Sequence, residues 1–278
     1  MSEINNSKSS APETTDDLKS RGDTRSQRPT SEAFLSFLTQ GWDETLPPAG
    51  RRAVADFTPA RRDCLVETVP ATRMVLPAGG LKVRSNDCDY QFRPHTAFAY
   101  YSGLGTDEEP DSVFVVEPDA EDPRKSQATY FFKPRSGPET NEFFADSRYG
   151  EMWVGRRPTL EEVEEQIGVP CRHIDELRDA LAKDLGDNLD LAVIEGVDER
   201  IDALVAEIRE QNGLEGGQKA RTVNSLLAQS ASESRVVKDA WEIEQMRAAV
   251  ATTIKGFHEV VRNFPEAIAH LSLIHISE

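Results

Sequence analysis

The sequence predicts an α/β domain, and three observations carry that prediction. Short apolar runs rich in β-branched and aromatic residues recur across residues 72–194, each bounded by Gly, Pro or Asp, which is the pattern of strands. Segments with apolar residues three and four apart, some opened by capping residues, lie between and after them and read as helices. A last helical stripe covers 240–263.

The elements follow in order. Residues 1–30 are rich in Ser, Thr, Asp, Asn and Lys and nearly devoid of large apolar side chains. Such a stretch buries too little surface to offset its ordering entropy, so a disordered tail is expected. Ser31 can cap a helix whose face carries Phe34, Leu35 and Leu38, and Gly41 can end it. After Pro47 and Pro48 comes a basic stretch with Arg51, Arg52, Arg61 and Arg62. Thr58-Pro59 suits a helix start, with Cys64, Leu65 and Val69 facing inward. Strands are expected at 72–76, 98–101, 112–116, 129–132 and 189–194. Thr159 and Glu162 form a capping-box pattern opening a helix over 160–166. Leu177, Leu181 and Leu185 mark a helix over 175–185, and a third helix over 198–211 closes at Asn212-Gly213.

The α/β domain so read runs over 50–230, with 215–234 weakly structured. Residues 235–268 read as a linker and the first helix of a further domain. Ile243, Met246, Val250, Ile254, Phe257, Val261 and Phe264 form one stripe that needs a partner surface. Residues 270–278 resemble a translated sequencing adapter and are set aside as a non-native tail.

Composition excludes several classes of function. The formal net charge of the 278 residues is -17, which opposes binding to nucleic acid or to an anionic membrane. Cys64, Cys88 and Cys171 are scattered and odd in number, as in a reduced intracellular protein. Residues 1–30 hold no apolar core of a signal peptide, and no run of about 18 apolar residues occurs anywhere. A cytoplasmic protein is expected. No GxSxG, P-loop or GxGxxG string is present, which leaves serine-hydrolase, nucleotide and dinucleotide readings without support.

His95 lies near Asp87, Cys88 and Asp89, but one His and one Cys make no closed zinc pattern, so a loop of hydrogen-bonding side chains is expected. One of Arg156 and Arg157 is expected to pair with local carboxylates and hold the turn after Trp153. Trp153 itself reads as a core or interface anchor. Glu161, Glu162, Glu164 and Glu165 read as a solvated helix face, and His173 and His258 receive no role.

Three segments together resemble the aminopeptidase P family. The first starts at Arg84, contains Tyr90, Phe92 and Arg93 and the run Phe98-Ala-Tyr-Tyr-Ser-Gly-Leu104, and continues into Pro110-Asp-Ser-Val-Phe-Val-Val116. The second is Glu151-Met-Trp-Val-Gly-Arg-Arg157. The third, from Arg235 through Lys238 and Trp241 to Met246 and Arg247, is similar to the family's linker into its first catalytic-domain helix. The resemblance implies a mixed sheet flanked by helices, creatinase-like and related to RNase H, followed by the start of a truncated "pita-bread" catalytic domain. It implies an Xaa-Pro aminopeptidase using two divalent metals, usually manganese, on peptides with proline at the second position, and a homo-oligomer at full length. All five metal ligands of the family lie further downstream, so no catalytic or metal residue and no bound metal are expected in this chain. Asp87 and Arg93 match family positions near an active-site entrance or subunit contact, whereas Ala99 stands where many members carry a large aromatic residue. The alternative from another class is a non-catalytic, creatinase-like interaction module.

Overall fold

In a computed structural model of the chain, residues 36–42, 50–85, 88–186 and 188–269 are described. The expected N-terminal tail, the Ser31 cap, Asp87 and the 270–278 segment lie outside them. The chain divides into two compact units, Met1–Pro48 with Pro134–Pro158, and Ala49–Lys133 with Thr159–Glu278.

The larger unit is built on a five-stranded mixed sheet of order β6-β5-β4-β1-β7, from β1 (Thr72–Pro77), β4 (Val113–Pro118), β5 (Ser126–Phe132), β6 (Cys171–His173) and β7 (Asp190–Val193). β4 runs antiparallel to both β1 and β5, while β1–β7 and β5–β6 are parallel pairs. The pleat sends alternate residues to opposite faces. Met74, Leu76, Phe114, Val116, Tyr130 and Phe132 enter one core, and Val75, Val113, Val115, Phe131, Leu191 and Val193 enter the other. Both faces are covered, which is why these strands read as nearly continuous apolar runs.

The first core takes Leu65, Val66 and Val69 from α1 (Thr58–Thr68) and its C-cap, Phe98 and Tyr101 from α2 (Thr96–Ser102), Val163 and Ile167 from α5 (Leu160–Ile167), and Leu227 and Ala231 from α8 (Gln218–Glu233). The second takes Leu177 and Leu181 from α6 (Leu177–Ala182) and Ile201, Val205 and Ile208 from α7 (Glu199–Gln211). The Thr159–Glu162 capping box is formed in both directions, and Asp198 caps α7.

Several expectations are corrected. Residues 98–101 form a helix, not a strand. The His95 side chain caps it, and Ala97, Phe98, Tyr101 and Ser102 are buried at helical spacing until Gly103 ends it at φ +79°. Cys64 is exposed, while Arg61 and Arg62 face inward on the same helix. Residues 218–233, read as weakly structured, form a 16-residue helix seated by Asn224, Leu227 and Ala231. The helix expected over 175–185 is a 3₁₀ turn at Ile174–Glu176 followed by the short α6. Among the described residues, the sequence reading missed the three-residue β6, a hairpin of β2 (Val83–Ser85) with β3 (Cys88–Asp89), a 3₁₀ turn at Ala53–Asp56 and two short helices at Asn141–Ala145 and Glu151–Val154.

The smaller unit holds α3 (Asn141–Ala145) and α4 (Glu151–Val154). Gly150 sits where any Cβ would run into the carbonyl oxygens of Glu142, Phe143 and Asp146, so glycine is required there.

The long α9 (Ala240–Ala269) ends the larger unit and exposes its apolar stripe: Ile243, Met246, Val250, Ile254, Phe257, Val261 and Phe264 are all exposed, Val261 by 72%.

Candidate functional site

Three places carry the residues singled out by sequence. The first is the loop around β2–β3. Its ends are tied to the sheet unit by backbone bonds: the Ala78 N–H donates to Ser112 O, the Asp111 N–H to Gly79 O, and the His95 N–H to Ala78 O, at 2.8–2.9 Å. Phe92 is buried and anchors the middle. On the open side Gly80, Lys82, Tyr90, Gln91, Phe92 and Arg93 line a cleft of about 440 Å³. Arg93 is exposed and Tyr90 is 59% exposed, so the cleft presents cations beside an aromatic ring. Such a surface suits the carboxylate or the backbone of an extended peptide. Arg93 thus lies at a cleft, while Asp87 lies outside the described residues.

His95 belongs to this loop but is no ligand. Its Nδ1 accepts from the Ala97 N–H at 3.3 Å, and burial, with the charge of Arg235, holds its pKa below the usual 6.5. His173 repeats the device, accepting from the Asp175 N–H at 3.2 Å. The imidazole of His95 must stay neutral to accept. Its folded-state pKa is depressed, so its contribution is present above pH 6.5 and is lost as pH falls through the folded value. We expect His95→Asn, which keeps an acceptor at the cap, to flatten the stability profile between about pH 7.5 and about pH 5, by no more than about 1 kcal/mol after solvent screening. Urea titrations at the two pH values measure this. An unchanged pH profile would remove the cap from the account.

The second place is the Trp-x-Gly-Arg-Arg segment of the smaller unit. Buried Glu151 accepts from the backbone N–H of Gly137 at 3.3 Å and of Arg157 at 3.1 Å, and its carboxylate lies 3.3 Å from Arg135 Nε. Arg157 is buried over the Tyr149 ring, 4.9 Å from its centroid, and lies 3.6 Å from Glu142. Gly155 takes φ +88°, open to glycine at no steric cost. The expectation that one arginine holds this turn therefore falls on Arg157. Trp153 is a surface residue, 63% exposed, whose indole N–H donates to Phe144 O at 2.9 Å; it is no core anchor.

The third place is the base of α9, where the basic stretch of Arg61 and Arg62 meets the segment from Arg235 to Trp241. Arg61 donates through Nε and Nη2 to Asp239 Oδ2 at 2.8 and 2.6 Å, and through Nη1 to Tyr100 O at 2.9 Å. Its guanidinium lies 4.4 Å from the Tyr100 ring centroid and 5.7 Å from that of Trp241. Arg62 Nη1 donates to Tyr101 O at 3.0 Å. The two arginines thus satisfy last-turn carbonyls of α2, which explains buried cations on α1. Asp239 and Glu242 form a reciprocal capping box at the start of α9, at 2.9 and 3.0 Å. The Tyr101 hydroxyl is 2.7 Å from Ser234 Oγ, and burial pushes its pKa up to about 12. Arg235 bonds Thr96 Oγ1, and Lys238 Nζ donates to the carbonyls of Arg235 and Val236 at 2.8 and 3.1 Å. The Arg and Lys before α9 therefore shape the turn from which that helix starts.

Among the described residues, no group of three or more His, Cys, Asp or Glu comes together that could hold a metal ion. Among the same residues no helix is long and apolar enough to cross a membrane.

A mixed sheet covered by helices on both faces, with a cation-bearing loop and an anchored last helix, defines this as an α/β domain. Residues 59–192 match the family model described as the aminopeptidase P N-terminal domain. The chain is similar to Xaa-Pro aminopeptidase 1 of Streptomyces coelicolor, 35% identical over 240 residues that span 86% of this chain and 45% of the relative. With Xaa-Pro aminopeptidase 2 of the same organism it is 34% identical over 249 residues, 87% of this chain and 47% of the relative. A solved structure from Bacillus anthracis described as an aminopeptidase P shares the fold at TM-score 0.54 and 24% identity, over 74% of this chain and 46% of that one. The chain carries an aminopeptidase P N-terminal domain, and it spans about half the length of the curated relatives it matches.

Proposed function

We propose that this chain is the N-terminal, non-catalytic part of an Xaa-Pro aminopeptidase, the metal-dependent class that removes a residue ahead of proline. In that role the β2–β3 loop shapes access to the reaction centre, and the Arg61–Asp239 anchor sets the direction in which α9 enters the catalytic domain. The observation that carries this reading is α9 itself, anchored at Asp239 yet exposing all seven apolar residues of its stripe. An interaction module complete without that helix would not need such a face. The resemblance to named Xaa-Pro aminopeptidases supports the activity, and their greater length supports a catalytic half beyond α9.

The catalytic half would supply two divalent cations, manganese by resemblance to the family. The residues described here would supply no ligand to them. Their part would be to admit a peptide past Tyr90 and Arg93 and to hold the two halves in register. Homo-oligomer formation and a cytoplasmic location belong to the same proposal.

The test is direct. The 278-residue chain is expected to bind no stoichiometric manganese by metal analysis after dialysis and to leave an Xaa-Pro tripeptide intact. The same chain joined after Ile268 to the catalytic half of the Streptomyces relative is expected to gain both properties. Manganese-dependent release of the N-terminal residue by the 278-residue chain alone would overturn the assignment of the chemistry to the other half.

A further inference from the structure

The apolar stripe of α9 is symmetric about its own middle. Its residues from Ile243 to Phe264 advance by 3, 4, 4, 3, 4 and 3, which is 21 residues in six steps, or 3.5 per step. That is the period of a seam contacted by one other helix, narrower than the face a helix turns to a sheet. A shallow hollow of about 430 Å³ follows its first four residues. Ile243 and Phe264, Met246 and Val261, and Val250 and Phe257 lie at equal distances on either side of a point between residues 253 and 254. A two-fold axis through that point would lay the stripe on an antiparallel copy of itself, with each of these residues opposite its counterpart.

Side-chain size favours that direction. In the antiparallel register Phe257 meets Val250, Phe264 meets Ile243 and Met246 meets Val261, so a larger group faces a smaller one in every layer and the seam keeps an even width. A parallel pair would stack Phe257 on Phe257 and Val250 on Val250, wide and narrow in turn. Charge favours it too. Glu244 and Arg262 are 18 residues apart, five full turns, and so share one flank of the helix. Each is exposed and bonded along its own helix, Glu244 to Arg247 at 3.7 Å and Arg262 to Glu259 at 2.7 Å. In the antiparallel register Glu244 of each copy comes level, to within one residue, with Arg262 of the other. The helix dipoles then lie with opposite ends side by side. A seam of 21 residues is about 32 Å long. With seven apolar side chains from each copy it would bury on the order of 1,200 Å² in total, the lower bound for a specific stable interface.

We propose that α9 pairs antiparallel with α9 of a second copy of this chain, Val250 against Phe257 and Ile243 against Phe264, in a closed two-fold dimer with the two sheet units at opposite ends. The pair uses the face that the peptidase reading gives to a catalytic half, but it does not depend on that reading. Failure to pair would leave the aminopeptidase reading standing, and failure of the joined chain to cleave peptide would leave the pair standing.

The experiment has two parts. Sedimentation equilibrium of the 278-residue chain from about 1 μM to about 100 μM is expected to show a mass that rises to twice that of one chain and stops there. Photo-crosslinking then reads direction and register. p-Benzoylphenylalanine is placed at Phe257 in one preparation and at Phe264 in another, both exposed positions where an aromatic ring already stands. Mixing isotope-labelled and unlabelled copies marks the links between chains. Position 257 is expected to link to residues 249–251 of the other copy, and position 264 to residues 242–244. A mass that stays at one chain or grows past two, a link from 257 to 257, or links that fall outside α9 would each overturn the proposal.

Discussion

Replacing the buried Arg61 by alanine is expected to cost about 3 kcal/mol of folding stability. Arg61 is 7% exposed and makes three contacts that tie α1 to α9 and α2: Asp239 at the start of α9, and the Tyr100 carbonyl and ring on α2. Its removal leaves Asp239 without its cation and Tyr100 O without a donor. Asp239 keeps about a quarter of its side chain in water, which places the cost at the lower end for a broken buried pair. Asp239→Asn separates the contributions, because asparagine caps a helix as well as aspartate does. It should keep α9 formed while leaving Arg61 unpaired, and so lose less than Arg61→Ala. Arg61→Lys should fall between them, since an ammonium cannot reproduce the two-pronged contact. Urea denaturation gives the totals, and hydrogen exchange over 240–246 shows where the loss appears. A cost under about 1 kcal/mol for Arg61→Ala would mean that the anchor does not hold the helix.

The second large effect is on association. The stripe of α9 presents Met246, Val250, Phe257 and Val261 to solvent, each more than half exposed, and Ile254 beside them at 50%. A contiguous apolar face of this length promotes association. Shortening the chain at Glu233 would remove the stripe, but it would also remove Ser234 and Asp239, and with them the partners of Tyr101 and Arg61. The informative change is therefore Val250→Glu with Phe257→Glu, which charges the face and leaves the base of the helix untouched. The unaltered chain is expected to rise in mass with concentration by light scattering, from micromolar upward, whereas the doubly charged variant stays monomeric. Equal monodispersity of both would show that the stripe is covered within the chain itself. Association persisting in the charged variant would place the contact elsewhere, with Met152, Trp153 and Val154 as the next exposed apolar group.

The strands β1, β4, β5 and β7 were legible because a strand buried on both faces needs apolar side chains at every position, and their runs have no competing helical reading. The capping box at Thr159 and the stripe of α9 were legible for a related reason: each is a local pattern with one geometric meaning. Arg93 lines the cleft of Gly80 to Arg93, while the place near an active-site entrance or subunit contact that the resemblance implied for it belongs to the proposal. The role of His95 was misjudged only in detail, since a loop histidine was expected and a helix cap was found.

What the sequence by itself determined, then, is the α/β class, the long exit helix and the family, because these rest on periodicities and motifs that survive any packing. The tertiary structure alone decided the rest. Apolar residues at 97, 98 and 101 suit a short strand or a short helix equally, and only the His95 cap and the two arginine donors at the far end select the helix. Arg61 and Arg62 read in the sequence only as part of a basic stretch, because nothing near them in the chain needs a buried guanidinium. The carbonyls they satisfy lie 39 residues away, and the carboxylate of Asp239 lies 178 residues away. α8 has a polar, small-residue face that gives little hydrophobic signal, and it is held by Asn224 bonding the edge of β7, a contact that exists only once the sheet has formed. Burial of a polar group is favourable only where a partner is waiting, and which partner waits is a property of the fold, not of the local sequence.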